Sequence, residues 1–366
     1  MPLPFVSIVV PFYNEKRYLE QCIQALLTQQ YPRDRYEVIL VNDGSEDGSE
    51  KIAQALVDAR RGQLPSITYV QQRHSGLSTA RNAGISAARG DIIAYIDGDA
   101  LAEPGWLSGL AAAFGDDASI GVVGGKIDTL NDQVAFARFI HWIHYYWPTS
   151  GRGERILIIG TNMAFRRAVF EQVGGFFADF RQRGDETAFL LKVRRLFNSR
   201  TTADAVVRHE RPITPFKWLR ERYHNGYFYA STIYILRQIR GTDADIRAHL
   251  VRHLLIVNNV CIPIWLGLLA VWPVWPVCGV ALLSLLAFGT FIWTRRRIWS
   301  RLDVLRREYG FMKATILAPC AVALIALGEY LRALGFVRGL WDFRHRHFDD
   351  NLLTASELIE CTCVNM

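Results

Sequence analysis

Short apolar runs alternate with amphipathic stretches through the first half of the chain. Val6-Ser7-Ile8-Val9-Val10 is a run of strand type, ended by Pro11. Behind it Leu19, Cys22, Ile23, Leu26 and Leu27 recur at helical spacing and share one face. Tyr36 to Val41 reads as a second strand and runs into Asn42-Asp43-Gly44-Ser45. The pattern then predicts a helix from Gly48 to Arg60, a strand from Ile67 to Gln71 and a helix from Gly76 to Ala88. A strand from Ile92 to Ile96 follows and leads at once into Asp97-Gly98-Asp99; Val122 and Val123 mark a later strand. Strands that are nearly all apolar belong in a sheet covered by helices on both faces. The alternation predicts an α/β domain with a mostly parallel sheet.

The second half is patterned differently. Gln133 to Ser150 is rich in aromatic residues (Phe136, Phe139, Trp142, Tyr145, Tyr146, Trp147) and reads either as a helix facing an acceptor or membrane, or as buried packing. Pro215 to Arg240 mixes Trp218, Tyr223, Tyr227 and Phe228 with Lys217, Arg220 and Arg222, a composition suited to a helix in a membrane interface. From Leu254 to Thr294 there is no charged residue. One helix of that length would measure about 60 Å at ~1.5 Å per residue, roughly twice the hydrocarbon core. Trp272-Pro273-Val274-Trp275-Pro276 interrupts it midway. Proline breaks helices and tryptophan favours the bilayer interface, so two transmembrane helices in a hairpin are predicted. Ala314 to Gly328 is shorter and reads as an interfacial or re-entrant helix, with a third span as the alternative. The predicted division is an α/β domain over 1–230, interfacial and transmembrane helices over 231–345, and a polar tail over 346–366.

Charge sharpens this picture. The 366 residues carry 42 Lys and Arg against 35 Asp and Glu, a net +7. A basic chain with long apolar runs points to anionic membrane lipid. No zinc-finger spacing and no aromatic RNA-binding signature is present, so nucleic acid is not an expected partner. Arg237, Arg240, Arg247 and Arg252 precede the uncharged run, and Arg295, Arg296, Arg297 and Arg301 follow it. Cytoplasmic flanks carry the excess of basic residues, so both ends are expected in the cytoplasm. The N-terminus lacks a signal-type core, which keeps the first domain there too. The expectation is a multi-pass protein of the cell (inner) membrane with a cytoplasmic α/β domain. Three of the six cysteines lie in apolar runs, and the Cys361/Cys363 pair in the tail is weak evidence for metal or lipid attachment.

Chemistry gathers at the strand ends. In open parallel sheets, ligands bind outside the carboxyl ends of the strands. Glu15 follows the first strand, Asp43 the second, and Asp97 and Asp99 the fourth. One such acid is ordinary turn chemistry. Several on one sheet edge suit a hard divalent cation, Mg2+ or Mn2+, which takes a few carboxylate oxygens together with phosphate oxygens.

The order Val-Val-Pro-Phe-Tyr-Asn-Glu (9–15), Val-Asn-Asp-Gly-Ser (41–45), Gly-Leu-Ser-Thr-Ala-Arg-Asn-Ala-Gly (76–84) and Tyr-Ile-Asp-Gly-Asp (95–99) resembles family 2 glycosyltransferases of the GT-A fold. The resemblance continues through Gly-Thr-Asn-Met-Ala-Phe-Arg-Arg (160–167), Gly174-Gly175-Phe176 and Gly184-Asp185-Glu186, covering roughly Phe5 to Gly226. It implies a GT-A nucleotide-diphospho-sugar transferase domain. It would place Pro11, Tyr13 and Glu15 along the nucleoside, Glu15 near the ribose, and Asp43 as acceptor from the base, commonly uracil. Arg81 and Asn82 would lie near the diphosphate, with a salt-bridged surface residue as the other reading of Arg81. Asp97 and Asp99 would share the ribose, phosphate and metal, and Thr161 and Asn162 would line the sugar and acceptor side.

Two departures matter. The late acidic motif of the family is Glu-Asp, whereas this chain has Asp185-Glu186. Glu186 then aligns with the catalytic base, leaving Asp185 as an orienting or capping acid, although acids at a helix start also serve as ordinary caps. The Gln-x-x-Arg-Trp element of processive synthases is replaced by Arg220-Glu221-Arg222-Tyr223-His224, which implies transfer of one or a few sugars. His209 and Arg222 read either as diphosphate neighbours or as structural residues. The reading is inverting transfer from a nucleotide-diphosphate sugar, of UDP type, to a lipid-linked or polysaccharide acceptor at the membrane. Its rivals are a nucleotidyltransferase, which would need a basic Gly-rich loop where Phe12-Tyr13-Asn14-Glu15 stands, and a non-catalytic membrane scaffold.

Overall fold

The computed structural model describes residues 3–144, 158–178, 185–238 and part of 324–342. The chain divides into two compact units: Met1–His141 with Glu154–Arg211 and Phe348–Met366, and Trp142–Gly153 with Pro212–His347.

The first unit is built on an eight-stranded sheet. Its strands are β1 (Val6–Phe12), β2 (Tyr36–Asn42), β3 (Ser66–Gln71), β4 (Ile92–Tyr95), β5 (Ala100–Ala102), β6 (Ile120–Thr129), β7 (Met163–Arg166) and β8 (Asn198–His209), in the order β3-β2-β1-β4-β7-β6-β8-β5. The half from β3 to β4 is parallel, as the alternating pattern predicts. The other half is mixed: β7 runs antiparallel to β4 and β6, and β5 antiparallel to β8, while β6 and β8 pair in parallel. Beyond α4 (Trp106–Phe114) helices still separate β6, β7 and β8, so the alternation along the chain does not announce the change of strand direction.

β1 also runs two residues past the predicted stop, through Pro11. Ile96 N–H donates to the Val9 carbonyl on one side of β1, and Asp43 N–H to the Phe12 carbonyl on the other. By this alternation the ring nitrogen of Pro11 faces the β4 side, where pairing ends at Val9↔Tyr95. The missing N–H therefore costs no ladder bond.

Alternate residues of each strand feed two apolar layers. Ile8, Val10, Val38 and Leu40 pack under α1 (Leu19–Leu27) and α4, against Cys22, Ile23, Leu26, Trp106 and Leu110. Val9, Ile39, Val41 and Ile93 pack on the opposite face under α3 (Leu77–Ala87), α6 (Arg167–Val173) and α7 (Asp185–Val193). Fully burying a Val, Leu, Ile or Phe side chain contributes about 1.5–3 kcal/mol, so these layers dominate the stability. α2 (Ser49–Ala59) lies between β2 and β3 in sequence. β3 is the edge strand and is only partly buried, which departs from the all-apolar expectation. Phe189 of α7 sits 4.4 Å from the Phe176 ring and 5.7 Å from Phe170, which seats the start of α7 against the sheet. Leu196 lies beyond this helix and is exposed.

The aromatic stretch near residue 140 forms α5 (Ala135–His144), with Ala137 and Ile140 buried and Phe136 and Phe139 half-buried. In the second unit α8 (Pro215–Gln238) is helical, as expected. Its Gly226 meets the Arg332 backbone, and Gly335 and Gly339 meet the backbone of Tyr223 and Tyr227, with no room for a Cβ at any of these contacts. No described helix is long and apolar enough to cross a membrane. The predicted hairpin over Leu254–Thr294 and the tail cysteines lie outside the described residues, as does most of Ala314–Gly328.

Candidate active site

β4 ends at Tyr95, and the chain turns through Asp97-Gly98-Asp99 at the edge where β1 and β2 also end. Gly98 is needed there: a Cβ would lie 2.9 Å from Phe12 Cβ. β5 then pairs with β8 so that Ala100 faces His209. This pairing brings His209 Nε2 to 3.2 Å from Asp99 Oδ1. His209 Nδ1 lies 2.7 Å from the Glu210 carbonyl oxygen, so Nδ1 carries a hydrogen and Nε2 is directed at the acids.

Among the described residues, Asp97, Asp99 and His209 have ligand atoms within 4.8 Å of one another. The donor set fits a divalent cation. Carboxylate oxygens suit Mg2+ and Mn2+ alike, and an imidazole nitrogen favours the transition metal. The charges are already arranged around that point. Burial disfavours ionised Asp99, but His209 beside it outweighs burial and holds the carboxyl below its ordinary range. Burial pushes Asp97 up, with Arg81 opposing and Asp99 reinforcing the shift. Glu15 is pushed up to about 8 by burial, then by Asp99 and Asp97. The Glu15 carboxyl thus flanks the acidic pair, whereas the resemblance places it along the ribose.

Arg81 and Asn82 are not poised for a diphosphate in this structure. Arg81 is 1% exposed and its Nη1 pairs with Asp185, itself fully buried at the start of α7. Its Nη2 lies 3.7 Å from Asp97 Oδ1, and Gly160 leaves that nitrogen room by lacking a Cβ. Burial opposes the guanidinium charge, but Asp185, Asp97 and Glu186 outweigh it and keep Arg81 protonated. Arg81 is thus salt-bridged, and in the interior, not on the surface. Asn82 donates to the Phe176 carbonyl and accepts from Phe176 N–H, both at 2.8 Å, which clasps the 174–176 turn.

Thr161 donates to Asp97 Oδ2 at 2.5 Å and so borders the site. Asn162 does not line it. It is fully buried, accepts from Trp106 Nε1 at 2.8 Å, and donates to the Lys126 and Ala205 carbonyls. Standing just before β7, an amide with these bonds ties β6, β8 and α4 together.

Glu186 follows Asp185 at the first turn of α7 and is partly buried. Burial, the Asp185 charge and a hydrogen bond that protonated Glu186 gives to Asp185 push its carboxyl up to about 8.

At the other end of the crevice, the β1–α1 loop is tied to the β2–α2 loop. Asn14 N–H donates to Ser45 Oγ, Glu46 N–H to Asn14 Oδ1, and Lys16 N–H to Asp47. Pro11 is buried, while Tyr13 is 40% exposed. Asp43 does not offer a base an open oxygen. Its Oδ1 accepts from Ser75 N–H and the Gln72 amide and its Oδ2 from Gly76 N–H, while His74 Nδ1, hydrogen-bonded to the Asp43 carbonyl oxygen, lies 2.9 Å from Oδ2. An ionised carboxylate has about four acceptor positions; three are used, and the His74 ring covers the fourth.

Sequence reasoning left His209 undecided and did not single out His74. His209 ends a polar strand whose partner, β5, is three residues long; only that pairing reveals it. Arg222 lies on α8 in the second unit, 6.0 Å from the Trp218 ring.

The sequence profile described as Glycosyl transferase family 2 matches residues 7–174, and that described as Glycosyl transferase family group 2 matches residues 92–330, more than half of the chain. The chain is 30% identical over 228 residues to a probable glycosyltransferase, YdaM, of Bacillus subtilis, covering 60% of this chain and 54% of YdaM. It is 33% identical over 177 residues to glycosyltransferase AglE of Haloferax volcanii, covering 48% of this chain and 56% of AglE. The chain therefore spans about half the length of these relatives. Among solved structures, the mannosyltransferase PcManGT from Pyrobaculum calidifontis, in complex with GDP-Man and Mn2+, matches with a TM-score of 0.58 at 21% identity, over 93% of this chain and 88% of that one. That likeness shows the fold.

Proposed function

As this chain belongs to the family 2 glycosyltransferases, we propose that it moves a sugar from a nucleotide-diphosphate donor, of UDP or GDP type, to a lipid-linked or polysaccharide acceptor, with inversion at the anomeric carbon. One observation carries the reading: the Arg81 guanidinium joins Asp97, in the metal-type cluster, to Asp185, the neighbour of Glu186. A candidate base is thereby set one side chain from candidate diphosphate-binding acids, as transfer chemistry requires.

Asp97, Asp99 and His209 would hold Mn2+ or Mg2+, and Mn2+ accompanies GDP-Man in PcManGT. When bound, such an ion neutralises charge on the diphosphate leaving group. Glu186 accepts the proton of the acceptor hydroxyl as its oxygen attacks the anomeric carbon, and the bond to the nucleoside diphosphate breaks on the opposite face. A carboxyl held near about 8 is matched to that task near neutral pH. Asp185 keeps its carboxylate on Arg81 and orients the start of α7.

A membrane-bound acceptor is supported by relatives such as the undecaprenyl-phosphate 4-deoxy-4-formamido-L-arabinose transferase of Pseudomonas savastanoi, 33% identical over 104 residues. The uncharged run and its arginine flanks support a multi-pass protein of the cell membrane with its α/β unit in the cytoplasm. Exposed Leu334, Val337 and Trp341 beside Arg338 suit an interfacial position. The test is release of nucleoside diphosphate from a panel of nucleotide sugars, with Mn2+ or Mg2+ and a polyprenyl-phosphate acceptor. No release above the chelated control with any donor would overturn the proposal.

A further inference from the structure

The crevice beside Asp43 holds an arrangement that the transfer chemistry does not use. The Tyr13 ring lies on the His74 imidazole, with centroids 4.1 Å apart and planes 25° from parallel. The same imidazole sets Nδ1 2.9 Å from Asp43 Oδ2 and 3.1 Å from the Asp43 carbonyl oxygen. Both neighbours are acceptors, so Nδ1 carries the hydrogen. A flat nitrogen heterocycle thus stacks on an exposed tyrosine and sets its ring N–H against the carbonyl and carboxylate oxygens of Asp43.

Of the donors on Asp43, two are backbone N–H groups fixed at the start of α3. The loop that bears them is held close: a Cβ on Gly44, which has φ +76, would lie 2.8 Å from the His74 backbone nitrogen. The His74 side chain differs. It is 48% exposed, and rotation about its Cα–Cβ bond gives up the stack and the Nδ1 contacts while the loop stays in place.

We infer that His74 is a stand-in for the donor's nucleobase: it fills the base position until a donor arrives, then swings out as the base takes over its stack on Tyr13 and its hydrogen bond to Asp43. The inference rests on the reading that the donor is a nucleotide sugar. It also narrows the donor class. Tyr13 can stack on any base, but the vacated Asp43 oxygen faces a ring edge and takes a ring N–H. Uracil and guanine carry one; cytosine and adenine, as their nucleotides, do not. Asp43 stays satisfied in both states, which a buried carboxylate requires. The consequence is competition: affinity for the base is lowered by the fraction of molecules in which the imidazole occupies the site.

Calorimetric titration of the full chain with UDP, GDP, CDP and ADP, each with Mn2+, tests this. His74→Ala is expected to bind UDP or GDP about threefold to tenfold more tightly than the wild type, because the competitor is gone. CDP and ADP are expected to bind at least about tenfold more weakly in both proteins, the lone Asp43 contact being worth about that much. In the wild type, the His74 Nδ1 resonance in nitrogen NMR should move on saturation with the preferred nucleotide, a readout independent of any variant. Unchanged or weaker binding by His74→Ala, or an unmoved resonance, overturns the stand-in role. Equal binding of CDP or ADP overturns the base assignment. Failure of all four nucleotides to bind either protein overturns the nucleotide-sugar reading itself, and this inference with it.

Discussion

Removing the Arg81 charge should cost more stability than removing its partner's, and the asymmetry follows from what each leaves behind. In Arg81→Met, Asp185 remains fully buried without the guanidinium. A buried charge stripped of its partner costs about 3–5 kcal/mol. In Asp185→Asn, Arg81 keeps Asp97 at 3.7 Å and the nearby Glu186 charge, so part of the compensation survives. That variant should lose about 1–3 kcal/mol, the range for a lost charged hydrogen bond. In Arg81→Met/Asp185→Asn neither full charge remains, and the loss should fall short of the sum of the single losses by about 2 kcal/mol. Urea unfolding of the four proteins, followed by circular dichroism, gives the cycle. A common unfolding slope in urea would show that the variants unfold from comparably compact states. Additivity within about 0.5 kcal/mol would refute the direct coupling. Equal losses in the two single variants would refute the share assigned to Asp97.

Glu186→Gln should bind donor normally yet transfer sugar at least about 100-fold more slowly, measured by single-turnover kinetics. The same substitution predicts a pH-dependent stability. With a folded pKa of about 8 against an ordinary 4.5, Glu186 stabilises most below the ordinary value and loses that contribution as pH rises through about 8. Thermal unfolding should therefore show Glu186→Gln gaining on the wild type from about pH 5 to pH 9; a constant difference would remove burial as the cause. Asp99→Asn should keep the fold but lose turnover by about a hundredfold or more, if metal-held charge is worth several kcal/mol in the transition state. Near-normal turnover in Asp99→Asn, or full activity in excess chelator, would falsify the metal assignment. On the far edge of the sheet, Glu37 is 1% exposed and accepts from Ser7 Oγ and from Arg89 Nε, Nη2 and N–H. Glu37→Ala should destabilise the unit by about 2 kcal/mol or more in urea, with catalysis of the folded fraction unchanged.

The parallel half of the sheet was legible because its residues answer one question, which face they bury. Leu19, Cys22, Ile23, Leu26 and Leu27 are all buried on α1, and the acids fall at the strand ends where the pattern put them. The mixed half was not, since β8 is a largely exposed strand whose place depends on long-range pairing with β6 and β5. The same limit applied within the site. Asp97 and Asp99 could be read from the turn that holds them, but His209 joins them only through the β5–β8 register. Arg81, Asn82 and Asn162 stand in motifs that suggest ligand contact, yet Asn82 and Asn162 bond within the interior and Arg81 pairs with buried Asp185. Sequence reports that a polar residue sits at a particular spacing; it does not report that a buried polar group must find its partner nearby.

The environments of the acids separate their roles. Asp99 lies beside His209 and is held ionised, ready for a cation. Glu15 and Glu186 are each pushed up to about 8, first by burial and then by different neighbours. The charges raising Glu15 belong to Asp99 and Asp97, so a cation among those acids would cancel them and reverse its local field. The charge raising Glu186 belongs to Asp185, which is buried with Arg81 and does not face the cation cluster directly. Cation binding should therefore lower Glu15 by relieving the Asp99 and Asp97 charges, with burial still holding it up, while changing Glu186 less. Two carboxyls of similar apparent strength are thus distinguishable in principle. The one more sensitive to the ion reports on the donor side, and the one less sensitive to it has the independence a base for the acceptor hydroxyl needs. Arg81 sits between these two sets and feels both. Its charge lowers Asp97 and Glu186 together, so the guanidinium that braces the fold also favours the ionised form in both halves of the site.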